Sequence, residues 1–196
     1  MPDVELPNPE ELEEAAGKRF SKRVALTTAL YAVLLAITSL GGNNATKDMM
    51  LSQQMSNNQW SYYQAKSIKE SFSRDRRESV EAILAERGAT MKPDARAAFE
   101  RMRDAAASDE ARYAREKEQI LAQAKAFEKD RDVGRAKDPY FDFGEVLLQL
   151  AIVTASIAIL SGSSPVYLFS IAMAVFGAAL SMNGFLQLFT LPFLGP

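Results

Sequence analysis

Formal charge is confined to two segments of this chain. No Asp, Glu, Lys or Arg occurs from Val24 to Thr46, or from Val146 to Pro196. All 23 basic and 25 acidic residues fall in the N-terminal tail or between Lys47 and Glu145. The slightly negative mean hydropathy therefore averages two unlike materials. A soluble domain does not cover its surface with uncharged runs of this length. Charge at the centre of a bilayer, in contrast, costs roughly 2.5–3.5 kcal/mol per residue on insertion scales. The pattern predicts an integral membrane protein with a polar insertion.

Composition narrows the chemistry. At 196 residues there is room for one modest domain plus membrane spans. The net charge of −2 gives no basic field for nucleic acid, so no nucleic-acid partner is expected. Cysteine is absent, which removes disulfides, thiolate nucleophiles and Cys-based metal sites. Histidine is absent as well, and with it the usual zinc ligand and general base. The chain is expected to be no enzyme and to need no cofactor or metal.

Residues 1–23 form an acidic, then basic, N-terminal tail. Residues 1–8 read as disordered. Asn8 suits a helix cap, Pro9 the first helical position, and Glu10 and Glu11 the positive helix end. The first apolar run is expected to span the membrane over 24–46. It does not read as a cleaved signal. Its preceding segment is long and carries Asp3, Glu5, Glu10, Glu11, Glu13 and Glu14, and Gly41-Gly42-Asn43-Asn44-Ala45 lacks a small-x-small cleavage site.

Residues 47–138 are helical by pattern. A first arm, 47–87, carries Lys66, Glu70, Arg74 and Glu78 at four-residue spacing with alternating sign, as expected of an exposed face. Ile68, Phe72, Val80, Ile83 and Leu84 supply an apolar stripe. Gly88-Ala89-Thr90 and Pro93 break the pattern. In a second arm, 93–132, Phe99, Ala106, Tyr113, Ile120 and Phe127 recur every seven residues. The alternate seam positions on this register, Asp109, Glu116 and Gln123, are polar. Gly134 and Pro139 are expected to end an antiparallel, coiled-coil-like hairpin. At 1.5 Å per residue each arm would reach roughly 60 Å.

Tyr140, Phe141 and Phe143 beside Asp142 and Glu145 resemble an interfacial aromatic belt. Two further spans follow, 143–160 and 166–191, joined by a turn over Ser161 to Pro165. As a buried soluble hairpin, these segments would need a large partner to cover faces that are apolar all round. The fold class is thus an all-α membrane protein: three transmembrane helices, with a long extramembrane hairpin between the first and second.

Lys18, Arg19, Lys22 and Arg23 precede the first span, and Lys47 alone follows closely. The positive-inside rule then places the N-terminus in the cytoplasm and the hairpin in the periplasm. Arg131, Arg135 and Lys137 before the second span argue the other way, but long loops translocate largely regardless of charge.

Small residues recur at four-residue spacing in the spans: Ala25 with Ala29, Ala32 with Ala36, Ala151 with Ala155, Ala174 with Ala178, and Gly177 with Ser181. Such spacing permits close helix approach, between subunits or within one. Gln149, Asn183 and Gln187 are polar positions inside the C-terminal spans. They would line a pore or, as the plainer alternative, bond between helices. Asp130-x-Asp132-x-Gly134 is a poor calcium loop, with Arg135 at the glycine position and Phe141 at position twelve. Asp138, Asp142 and Glu145 are the acids an enzyme would have to use. Gly41-Gly42 lacks the following Lys-Ser/Thr of a phosphate loop and reads as a kink or a close helix crossing.

The most distinctive string is Asn58-Gln59-Trp60-Ser61-Tyr62-Tyr63-Gln64-Ala65-Lys66-Ser67-Ile68-Lys69. Trp60, Tyr63 and Ser67 share a helix face with Gln64 beside them, while Tyr62, Lys66 and Lys69 lie toward another. The cluster would bind a ligand or partner helix, or pack at the base of the hairpin. The string resembles the Trp-x-Tyr-Tyr-Gln-Ala-Lys-x-Ile-Lys signature of a bacterial membrane family known as domain of unknown function 4337. The resemblance runs from about Lys18 onward and implies a three-span inner-membrane protein. It brings no activity and no catalytic residues. Family members often carry basic residues in the last turn; Ser161 to Pro165 lacks them, which removes one support for the orientation. The expected role is a non-catalytic scaffold or accessory subunit that associates as a homo-oligomer, in contact with membrane lipids and with a membrane-protein partner. A small oligomeric channel or transport-associated subunit is the alternative.

Overall fold

The computed structural model describes residues 9–191. They form three helices: α1 (Pro9–Arg87), α2 (Pro93–Ser161) and α3 (Ser164–Leu186), with no strand among the described residues. The expected cap at Asn8 and the tail before it lie outside them. Each helix holds a stretch long and apolar enough, by length and composition, to cross a membrane.

The break between α1 and α2 falls where Gly88 and Pro93 predict it. The Gly88 amide donates to the Leu84 carbonyl at 2.9 Å, and the Thr90 amide to that of Arg87 at 2.9 Å. Pro93 then opens α2 with Asp94 in its first turn, which suits the exposed amides there.

Three expected boundaries move. Gly134 and Pro139 do not end a helix; both lie inside α2. An interior proline removes one backbone donor and costs about 3 kcal/mol. Tyr140 and Phe141, buried directly after it, hold the helix in place. Second, the turn between α2 and α3 is only Gly162 and Ser163. Gly162 adopts a left-handed φ of 61°; Pro165, with its φ already suited to a helix, falls in the first turn of α3. Third, α3 stops at Leu186 rather than Leu191. Gln187 takes a left-handed conformation with φ 49°, and its amide donates to the Asn183 carbonyl.

The chain divides into two compact units, Met1–Asp48 with Val133–Pro196, and Met49–Asp132. The first unit packs three helical segments around Val24, Tyr31, Leu148, Ala151, Ala155 and Ala174. Its α2 and α3 backbones nearly touch: a Cβ added at Gly177 would lie 2.9 Å from the Gly144 carbonyl oxygen. The small-residue spacings on α2 and α3 are thus used inside the chain, whereas Ala25, Ala29, Ala32 and Ala36 are exposed. Gly41 marks a close approach, not a kink, since α1 continues through it. A Cβ there would lie 2.5 Å from the Phe141 ring and 2.6 Å from the Phe185 ring.

Candidate interaction surface

In the second unit α1 and α2 meet along a seam made largely of polar groups. The Arg74 guanidinium donates to Glu110 at 3.0 Å and that of Arg77 at 2.9 Å. Lys117 pairs with Glu70, and Lys66 with Glu116. The Trp60 indole N–H donates to Glu128 at 2.8 Å. Only short or branched side chains are fully buried beside these: Ser56, Val80, Ala106 and Ala124.

This arrangement corrects two readings. Of the expected exposed face, Arg74 and Glu78 are exposed, but Lys66 and Glu70 are half-buried, and Lys66, Glu70 and Arg74 each pair with an acid or base of α2. Ile68 and Phe72 do not pack inward; they are 57% and 70% exposed. The expected apolar stripe is split: Val80 is buried and Leu84 half-buried, whereas Ile68, Phe72 and Ile83 are exposed. On α2 a second seam line runs Glu110, Lys117, Ala124, one residue on from the expected Asp109, Glu116, Gln123, of which Glu116 alone pairs with α1, through Lys66. Gln123 is exposed, and Asp109 pairs with Arg112 on its own helix. Arg77, Glu110, Lys117 and Glu128 are site residues that the sequence pattern missed. The seven-residue step from Glu110 to Lys117 to Ala124 was the available signal.

The charges perturb one another. Hydrogen bonds from Arg74 and then Arg77 hold the Glu110 carboxyl below its ordinary range. The bond from Lys66 does the same for Glu116. The bond to Glu70 raises Lys117.

The aromatic string is divided by this seam. Trp60 and Tyr63 stack edge to face, 5.5 Å between ring centroids, and Lys117 lies 5.7 Å over Tyr63. Lys66 and Lys69 lie 5.4 and 5.9 Å from the Tyr113 ring centre. Lys66 therefore shares the inward side with Trp60 and Tyr63 rather than lying with Tyr62. Tyr62 and Gln64 are exposed. Outside the seam, Ser67, Ile68, Ser71, Phe72 and Asp75 line a shallow, open depression on α1.

The polar positions of the first unit do not converge. Gln149 is exposed and donates to Glu145, one turn earlier on α2. Asn183 is buried and holds the chain beyond α3: its amide donates to the Phe189 carbonyl at 2.8 Å and accepts from the Phe189 N–H at 3.1 Å. The Tyr140 hydroxyl joins this cap, accepting from the Leu191 N–H at 2.8 Å. Gln187 is the exposed left-handed residue of the cap. Two further bonds tie helices together, between the Thr38 and Ser181 hydroxyls at 2.9 Å and from Thr46 to Asp138 at 2.8 Å. Asp130, Asp132 and Gly134 lie on the continuous α2, not in a loop. Among the described residues no group of three acids is placed to hold a metal ion.

A family model, the domain of unknown function DUF4337, matches residues 20–187. The chain belongs to this family. The match takes in the described helices almost entirely, from the start of the first apolar stretch to the end of α3. No curated protein and no solved structure matches the chain. Within this DUF4337 chain, the ion pairs of the second unit lie between its helices, and Ile68 and Phe72 are left on an outward face.

Proposed function

We propose that this chain is an inner-membrane protein with three spans and an extramembrane antiparallel helical hairpin, acting as a non-catalytic scaffold or accessory subunit through homo-oligomerisation. The observation that carries the reading is the inversion in the second unit. Ion pairs occupy the intrachain seam while Ile68 and Phe72 face outward beside an open depression. Apolar side chains left on an outer helix face are suited to a second helix. The exposed Ala25, Ala29, Ala32 and Ala36 line would let spans approach in the same assembly. Crosslinking of the full chain in native membranes should give one discrete oligomer, and Phe72→Asp should shift it toward monomer. A monomeric mass for the unmodified chain after mild extraction would end this reading.

The hairpin lies in the periplasm and the N-terminus in the cytoplasm, on the strength of the basic residues before the first span. The chain has no native cysteine, and Ser108 is exposed. A single Ser108→Cys label should therefore react in cells whose inner membrane is intact. Reaction only after permeabilisation would reverse the orientation.

One observation favours a channel as the second reading. Gln149 points away from its own chain's core, so an oligomer would have a polar group available to line a pore. Ion flux through liposomes that changes with Gln149→Leu supports it. Flux that is absent or unchanged leaves the scaffold.

A further inference from the structure

We infer that α1 carries a binding surface for an anionic phospholipid, formed by Lys18, Arg19, Lys22 and Arg23 and the apolar face that continues from them. The inference rests on the membrane reading above. At 100° per residue the four basic positions fall within an arc of about 140° on α1. Val24, which is fully buried in the three-helix core, lies roughly opposite the middle of that arc. The basic side chains therefore face away from the chain's own packing, and all four are exposed.

They are also free of strong internal partners. Lys18 meets Glu14 in an exposed pair of a kind that contributes little. Arg19, Lys22 and Arg23 have no ion pair among the described residues. On the same outward side, successive turns of α1 present Leu26, Leu30, Val33, Ile37 and Leu40, all at least half exposed. One continuous strip thus changes from positive to apolar within a single turn, as the surface of an anionic lipid changes from phosphate to acyl chain.

The depth of the strip agrees. Phe20 and Tyr167 stack edge to face, 5.8 Å between centroids, at the level of the basic residues. Such aromatics favour the headgroup boundary. From Phe20 to Gly41 the helix rises on the order of 30 Å, the thickness of the hydrocarbon core. The occupant is the bilayer's own acidic lipid, because a soluble anion would leave the apolar part of the strip uncovered.

The test uses the full chain in mild detergent. It is titrated with phosphatidylglycerol and with phosphatidylcholine of matched acyl chains, and bound lipid is counted by native mass spectrometry. Phosphatidylglycerol should be retained at least about fivefold over phosphatidylcholine, with the preference falling as salt is raised. The K18Q/R19Q/K22Q/R23Q variant should bind the two lipids equally. Equal retention by the unmodified chain, a preference insensitive to salt, or a preference unchanged in the variant would each overturn the inference. The salt series needs no substitution, so a misfolded variant does not decide the matter. Carbonate extraction of native membranes separates the two failures. A chain released by carbonate refutes the membrane reading, whereas a retained chain without lipid preference refutes only the lipid surface.

Discussion

The two units of this chain both bury small and apolar side chains, but only the second frames them with cross-helix ion pairs. In the first, the core is Val24, Leu148 and a line of alanines, and large apolar residues such as Leu26, Val153 and Phe176 also face outward. In the second, Glu70, Arg74, Arg77, Glu110 and Lys117 pair across the two helices beside buried Val80, Ala106 and Ala124, while Ile68 and Phe72 face outward. On the proposed membrane reading, the contrast follows from the surroundings each unit would meet. Between spans in lipid there is no hydrophobic drive to sort Leu inward, so close approach of small residues decides packing. In water, charged groups at a seam are held by multiple hydrogen bonds, and an apolar outer face is unfavourable until something covers it.

The largest effect is expected where backbones touch. Gly177→Val would drive a side chain into the Gly144 carbonyl and the Leu147 and Leu148 side chains. Neither backbone can give way cheaply, so the first unit should lose about 3 kcal/mol, read as a lowered thermal midpoint in detergent. A midpoint unchanged by this substitution would mean that the first unit is not packed on small residues at all.

The second unit should respond to charge instead. Glu110 and Glu116 titrate below the ordinary carboxylate range, through bonds from Arg74 and Arg77 and from Lys66. Their contribution is complete above the unfolded value, about 4.3, and is lost as pH falls through the lower folded values. Lys117, raised by Glu70, contributes below its unfolded value of about 10.4 and loses that contribution as pH rises through the folded one. Circular-dichroism melts should therefore show the second unit loosening in strong acid and at high salt. Glu110→Gln should lower the midpoint near neutrality, by less than Gly177→Val, and flatten the acid response. Identical melts at neutral and acid pH would erase the contrast between the units.

Smaller changes sharpen it. Trp60→Phe removes the indole donor to Glu128 and should cost the second unit about 1 kcal/mol, again by dichroism because the only tryptophan is lost. Tyr31→Phe in the first unit should be neutral or slightly stabilising. The Tyr31 hydroxyl is buried without a hydrogen-bond partner among the described residues, so removing it relieves a desolvated group. A clear loss of stability would reveal a partner for that hydroxyl.

Much of this was legible residue by residue. Glycine and proline at Gly88, Pro93, Gly162 and Pro165 act on the backbone locally, and both helix breaks sit there. Gly134 and Pro139 send the same local signal and are overruled, because Tyr140 and Phe141, directly after the proline, are buried. Asn183 and Gln187 read as a pair of intramembrane polar groups. Asn183 caps the segment beyond α3, and Gln187 supplies that cap's left-handed turn. A side chain that bonds backbone six residues away leaves no periodic trace.

By itself the sequence determined that this chain is helical, where its two turns fall, and which stretches are apolar enough to cross a membrane. Each of these depends on local backbone chemistry or on composition summed over a span. Only the tertiary structure decided which face of each helix turns inward. Alternate registers such as Glu110–Lys117–Ala124 and Glu116–Gln123 differ by one residue, about 100° of rotation, and share the same seven-residue period. The choice between them is made by the residues opposite, Arg74, Arg77 and Glu70, which lie on another helix and only folding brings near.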